Sequence, residues 1–279
     1  MNKIALFGLA ALGLVSSASA TALYGVTGDN QLVTFDTVSP SNFTSSVQIT
    51  GLVQSNGVTA DPFASIVNLT YNYSDGQLYG VDTNANFYRI GSNGSATLLS
   101  ATLSPNGFES GLGFDPFAGA FVYGTDLGEH FNIGTNGAVT NGPDFAYSIG
   151  DAHAGSVPSI TGLTFDPAFG TAYFLDASLD TLSMSLDPGL GEIFTLGDLG
   201  IDVAALGDLA VDFDGNLYAT LSTDGLTTSL YQINTTTGQA TSLGNYGPGN
   251  SLITIAVPEP SAALLGGLGA LALLRRRRA

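Results

Sequence analysis

Residues 68–82, NLTYNYSDGQLYGVD, decide how the rest of the chain is read. Apolar and polar residues alternate, a turn of Ser, Asp and Gly interrupts, and a second run opens on Leu-Tyr. Alternation with a period of two marks strands. A turn rich in Asp and Gly supplies side-chain-to-backbone hydrogen bonds and positive φ, so the stretch predicts a β-hairpin. The pattern returns in GLGFDPFAGAFVYGTD (111–126), GLTFDPAFGTAYFLD (162–176) and DLAVDFDGNLYATLS (208–222). Leu69, Leu112, Leu163 and Leu209 head the four copies at spacings of 43, 51 and 46 residues. A repeat near 45 residues that holds several strands predicts propeller blades.

The ends of the repeat region supply a fifth copy. Ala22-Leu23-Tyr24-Gly25-Val26 matches a second strand with no first strand before it. Residues 250–255 match a first strand with no second after it. Paired, the two complete a hairpin and remove two open sheet edges. The expected fold is therefore all-β, a five-bladed β-propeller closed by pairing of residues 250–256 with the first blade. A different blade count and a β-sandwich are the competing architectures. Residues 30–36, 86–90 and 229–234 alternate after short polar turns and fit later strands of the blades, and residues 234–241 fit a turn into an outer strand.

Both termini carry export signals. MNKIALFGLAALGLVSSASA has Lys3, an apolar run over residues 4–15 and the small-residue step Ala18-Ser19-Ala20, which is the plan of a secretory signal peptide cut after Ala20. At the other end, residues 261–274 are apolar but shorter than a spanning helix and weakened by Gly266, Gly267 and Gly269. Arg275, Arg276, Arg277 and Arg278 would hold the far side of that segment in the cytoplasm. The expected division is a signal peptide at 1–20, a propeller domain at 21–257 and a tail with a short membrane helix at 258–279.

Val257-Pro258-Glu259-Pro260, then a Gly/Ala/Leu helix, then the arginine cluster resembles the PEP-CTERM sorting signal of Gram-negative bacteria. The resemblance implies a transient hold on the inner membrane, recognition by an exosortase, and release to the cell surface or an exopolysaccharide (biofilm) matrix. Residues 23–52, LYGVTGDNQLVTFDTVSPSNFTSSVQITGL, resemble the opening repeat of a domain-of-unknown-function family of secreted bacterial proteins. Tyr24, Thr27, Asn30, Leu32, Val33, Phe35, Asp36, Pro40 and Thr50-Gly51-Leu52 carry that likeness, which implies a propeller-like fold and no known chemistry.

With both ends removed, 22 acidic residues face Arg89 alone. Such a surface repels nucleic acid and anionic lipid, so no nucleic-acid partner is expected. There is no cysteine, so neither disulfides nor thiolate metal sites contribute. His130 and His153 fall in loop-like sequence, each near an acid, and are expected as exposed polar residues. No H-E-x-x-H, G-x-S-x-G or phosphate-binding loop occurs. Asp75, Asp115, Asp166, Asp212 and Asp214 fall at the repeat turns, where turn chemistry accounts for them. Asp212-Phe213-Asp214-Gly215-Asn216 begins like a Ca²⁺ loop but lacks its closing acid, which makes Asp212 and Asp214 weak metal candidates and Ca²⁺ the one cofactor considered. Asn-x-Ser/Thr sites at Asn42, Asn68, Asn72, Asn93 and Asn234 are assigned no role.

The expectation for function is a secreted, non-enzymatic surface or matrix module that binds extracellular polysaccharide. Two alternatives are a carbohydrate-active enzyme with carboxylates in the propeller channel and a Ca²⁺-stabilised structural module.

Overall fold

The computed structural model describes residues 20–204 and 207–258. Residues 1–19, with Lys3 and Ala18, lie outside the described residues, as do Glu259, Pro260, the expected membrane helix and the four terminal arginines. Among the described residues no helix is long and apolar enough to cross a membrane.

The chain enters on β1 (Ala22–Thr27), β2 (Gln31–Asp36) and β3 (Ser45–Gln48). β4 (Ile66–Asn72), β5 (Gln77–Asp82), β6 (Phe87–Ile90) and β7 (Ala96–Ser100) form the second sheet. β8 (Ser110–Asp115), β9 (Ala120–Thr125), β10 (His130–Gly134) and β11 (Val139–Asn141) form the third. β12 (Ala146–Tyr147) precedes β13 (Ile160–Phe165), β14 (Ala172–Asp176), β15 (Thr181–Ser185) and β16 (Glu192–Asp198), and joins β16 in parallel as a fifth, outermost strand. β17 (Gly207–Val211), β18 (Leu217–Leu221), β19 (Ser229–Ile233) and β20 (Ala240–Asn245) make the fifth sheet. β21 (Leu252–Ala256) then returns to pair antiparallel with β1, Tyr24 opposite Ala256 and Gly25 opposite Ile255. The five-bladed propeller and its closure by the terminal strands are therefore as expected, each predicted hairpin forming the first two strands of a blade.

The alternation in these strands has a different cause from the one expected of half-buried sheets. β13 is buried at every residue and β8 at all but its last. Each blade is covered on both faces by its neighbours, so alternate side chains serve alternate interfaces. Leu23 packs with Phe35, Ala210, Tyr218 and Leu252 toward the fifth blade, while Val26 packs with Leu32, Ile66 and Leu69 toward the second. Five apolar clusters result, one between each pair of adjacent blades. The outer strands, such as β3 and β20, show most of their polar residues to solvent.

The turn residues recur with the blades. Asn72, Asp115, Asp166 and Asp212 each accept a backbone N–H two residues on, closing the turn between first and second strands. Thr27, Asp82, Thr125 and Asp176 end the second strands, Ser222 directly follows one, and all five bond the turn to the third. These two sets define the two faces of the disc. The hairpin face carries the first set. The linker face carries the second set and the long connections between blades.

Candidate functional site

The first strands β21, β4, β8, β13 and β17 surround the axis. On one side polar side chains join them. Asp208 on β17 accepts the Ile255 N–H at 3.1 Å and the Thr254 hydroxyl, and Thr254 Oγ1 accepts the Leu69 N–H at 2.7 Å. Asn68 then donates to the Ser110 carbonyl at 2.7 Å and accepts the Ser110 hydroxyl at 2.8 Å. On the other side glycines let backbones meet: a Cβ on Gly111 would lie 2.4 Å from Leu163 N, and one on Gly162 would lie 2.9 Å from Asp208 Cα. Burial pushes the Asp208 carboxyl up to about 8, against the pull of its three donors, Thr254, Ile255 and Leu209. Asp208 thus acts as a pin across three blades, its oxygens filled by protein donors.

The linker face holds a cleft of about 600 Å³ between the first and second blades. Its walls are Asp29 and Asn30 from the β1–β2 turn, Gln48 at the end of β3, and the 49–65 linker with Thr50, Asp61 and Ser65. That linker is held by distant side chains. Val53 donates its N–H to Tyr88 Oη at 3.0 Å, and its carbonyl accepts Asn84 Nδ2 and Asn86 Nδ2 at 3.1 and 2.8 Å. Asn84 Nδ2 also reaches Asp61 Oδ2 at 2.9 Å, and Asn30 Oδ1 accepts the Ile66 N–H at 3.1 Å. The Asn84 bond, with the Phe63 N–H, holds the Asp61 carboxyl below its usual range, so it is a carboxylate at neutral pH. Burial pushes the Tyr88 hydroxyl up to about 12, with the neighbouring Asp82 adding to the rise, so it remains a donor. Phe63 and Phe108, from the two connections flanking the second blade, are 91% and 95% exposed on this face. Carboxylate, amide and hydroxyl groups with the exposed Phe63 ring next to the lining residues Pro62 and Ala64 suit a polyhydroxylated ligand, whose C–H faces stack on aromatics.

His130 is not an exposed loop residue. It opens β10, is buried, stacks on Phe145 with ring centroids 4.4 Å apart, and its Nδ1 lies 3.1 Å from the Pro143 carbonyl. Burial lowers its pKa, so it is a neutral core imidazole. The loop-like sequence ends at Glu129, one residue before β10 begins. His153 does lie in a turn, half-buried, its ring 5.5 Å from Tyr147. Asp212 is buried, and its two oxygens accept the Asp214 and Asn216 N–H groups, Asn216 Nδ2, the Thr21 hydroxyl and, at 3.4 Å, the Tyr218 hydroxyl. Among the described residues no three acidic or histidine side chains group as metal ligands, at Asp212 and Asp214 or elsewhere. Asn68 and Asn72 are buried, which removes them as surface modification sites. Ala20 is exposed, Thr21 half-buried, and Val257 buried at the end of the closing strand.

Asn30, Thr50, Gly51 and Leu52 carry the opening-repeat likeness, which implies no chemistry, and Asp29, Gln48, Asp61 and Ser65 belong to no motif, so the cleft was not legible as a site. The one signal was the length of the 49–65 connection, longer than a turn between blades needs.

A closed five-bladed propeller with a ligand-sized cleft in one face is thus the class of protein defined by these features. The chain belongs to the family described as Domain of unknown function (DUF4394), whose model matches residues 31–256. No curated protein matches it. The fold is similar to a chain in the crystal structure of a nidogen/laminin complex, with a TM-score of 0.53 and 13% identity over 86% of this chain and 98% of that one. It is also similar to a structural-genomics protein of unknown function from Bacteroides thetaiotaomicron VPI-5482, with a TM-score of 0.50 and 13% identity over 81% of this chain and 58% of that one. At such identity the likeness extends to the fold alone.

Proposed function

We propose that this protein is an exported, non-enzymatic binding module of the cell surface or exopolysaccharide matrix, sorted by an exosortase through its C-terminal tail and holding polysaccharide at the linker-face cleft. The observation that carries the reading is where the expected cuts fall. Thr21, the first residue after the leader, is the residue before β1, and Val257-Pro258 follow β21 directly. The ring therefore keeps all its strands when both segments are removed. β1 starts and β21 ends on the hairpin face, so both segments leave from the side opposite the cleft. Tethering by the tail leaves the cleft free.

The test has two parts. Intact mass of the protein recovered from the native host is expected to start at Thr21 and end near residues 257–260. The purified mature protein is expected to be retained on the host's own exopolysaccharide. A full-length C-terminus in the membrane fraction counts against sorting; absence of retention, together with an unchanged matrix in a deletion strain, counts against the binding role.

A second reading, a carbohydrate-active enzyme, rests on Glu109. This residue directly precedes β8 at the linker-face end of the axis, and burial together with Asp126 raises its carboxyl pKa. Asp126 takes the Phe108 N–H at 2.8 Å and donates its own N–H to the Glu109 carbonyl. Two neighbouring carboxyls, one of them raised, are the elements of glycoside hydrolysis. This reading requires release of reducing ends from the polysaccharide, and loss of that release in Glu109→Gln.

A further inference from the structure

Thr21 lines a pocket of about 190 Å³ on the hairpin face, at the seam between the first and fifth blades, with Thr37, Asp214, Asn216 and Tyr218. Its N–H donates to Thr37 Oγ1 at 3.1 Å and its hydroxyl to Asp212 Oδ2 at 3.2 Å. Its carbonyl accepts the Thr37 N–H at 3.0 Å, and the Tyr218 hydroxyl reaches Thr21 Oγ1 at 3.4 Å. Four contacts fix this one residue, while Ala20 before it is exposed.

We infer that this pocket is a docking site for the chain's own α-ammonium group, created when the leader is removed. The inference rests on cleavage after Ala20, the processing part of the proposed function. Hydrolysis of the Ala20–Thr21 bond adds water across it: Ala20 leaves as a carboxylate, and the Thr21 nitrogen becomes an amine that is protonated near neutral pH. In the uncut chain that nitrogen carries one hydrogen, already given to Thr37. In the cut chain it carries three, and the two new donors and the positive charge appear on the residue whose hydroxyl already reaches the Asp212 carboxylate at 3.2 Å, with Asp214 lining the same pocket. Between residues 21 and 257 the one basic side chain is Arg89, on β6 of the second blade, so no Lys or Arg on the neighbouring strands supplies this charge.

The consequence is structural. β1 belongs to the first blade and Asp212 to the fifth, so the new ion pair crosses the seam that β21 closes. Removal of the leader would then complete the lock on the ring, and a chain still bearing its leader would hold the seam less firmly.

The chain from residue 21 to 279 contains no lysine, so its α-amine is its only primary amine. That makes the test specific. The full chain is prepared in detergent with a protease-removable leader in three forms: starting at Thr21, starting at Ala20, and starting at Thr21 with the Asp212→Asn substitution. Asn is compatible with this turn, because Asn72 makes the same turn bond in the second blade. Near neutral pH an amine-acylating reagent is expected to label the Thr21 start at least about fivefold more slowly than its Asp212→Asn form, the effect of an ion pair that holds the amine protonated. The Thr21 start is also expected to melt about 2–4 °C above the Ala20 start, with the gap closing when Asp212→Asn is placed in both. The labelling rate decides: rates within about twofold overturn the inference. Should Asp212→Asn fail to fold, Asp214→Asn is read by the same criterion. Intact mass of the host protein separately decides whether cleavage falls after Ala20, so failure of processing and failure of docking are told apart.

Discussion

Asp208 is the fully buried carboxyl through which pH is expected to act on the joint between the blades. Its carboxyl is pushed from 3.8 up to about 8 in the fold, by burial first, whereas in the unfolded chain it ionises near its ordinary value. Between roughly pH 4 and pH 8 the folded chain therefore holds a proton that the unfolded chain has released. Stability must fall across that window as pH rises, by up to about 1.4 kcal/mol per pH unit, and level off above it. The expected result is a melting temperature that declines from pH 5 to pH 8, with a flatter profile in Asp208→Asn. A profile of equal slope in the two proteins would mean that Asp208 is ionised throughout, held by the N–H groups of Leu209 and Ile255 and the Thr254 hydroxyl. The sequence did not announce this role. Asp208 was legible as the start of a repeat, but its burial depends on Thr254, 46 residues away, and on glycines at 111 and 162 that bring the first strands together.

Among the elements, β21 carries more than its five residues suggest. It supplies the first strand of the first blade, contacts β17 and β4 on either side, and, with the Val257 that follows it, buries Leu252, Ile255 and Val257. At about 1.5–3 kcal/mol for each buried aliphatic side chain, these three alone contribute roughly 5–9 kcal/mol, within reach of the 5–15 kcal/mol that holds a typical domain. A chain that stops after Asn250 should therefore lose its cooperative thermal transition by circular dichroism. A chain that stops after Pro258 should melt with the full-length protein. If both melt alike, the ring does not depend on terminal closure. This closure was legible because each half-hairpin lacked its complement in sequence. The hairpins were legible because their turn residues act locally, as Asp115 and Asp166 do on N–H groups two residues away. β12 was not, since its two residues are strand only by lying beside Glu192 and Ile193. His130 failed for the same reason: its burial is supplied by Phe145 and Pro143 from the next connection.

For the whole molecule, the two faces of the disc make unequal claims to a ligand. Both offer exposed rings, Phe63 and Phe108 on the linker face, Phe117 and Phe169 on the hairpin face. Only the first holds the cleft with Asp29, Asn30, Gln48 and Asp61, where Phe63 lies between the lining residues Pro62 and Ala64, and only the second lies next to residues 20 and 258, where the proposed leader and tail would join the ring. A protein held by its tail would present the linker face outward and turn the hairpin face toward its anchor. Phe63→Ala combined with Asp61→Asn is therefore expected to weaken retention on the host exopolysaccharide at least about fivefold, near 1 kcal/mol, while Phe117→Ala combined with Phe169→Ala leaves it within twofold. The first pair removes one exposed ring and the second two, so a loss of stability from aromatic truncation would fall at least as heavily on the second and would register in melting temperature. The reverse ranking, with both proteins folded, would move the binding role to the hairpin face. The tail would then have to be removed before the ligand could bind, and sorting and binding would follow in sequence on one surface instead of being divided between two.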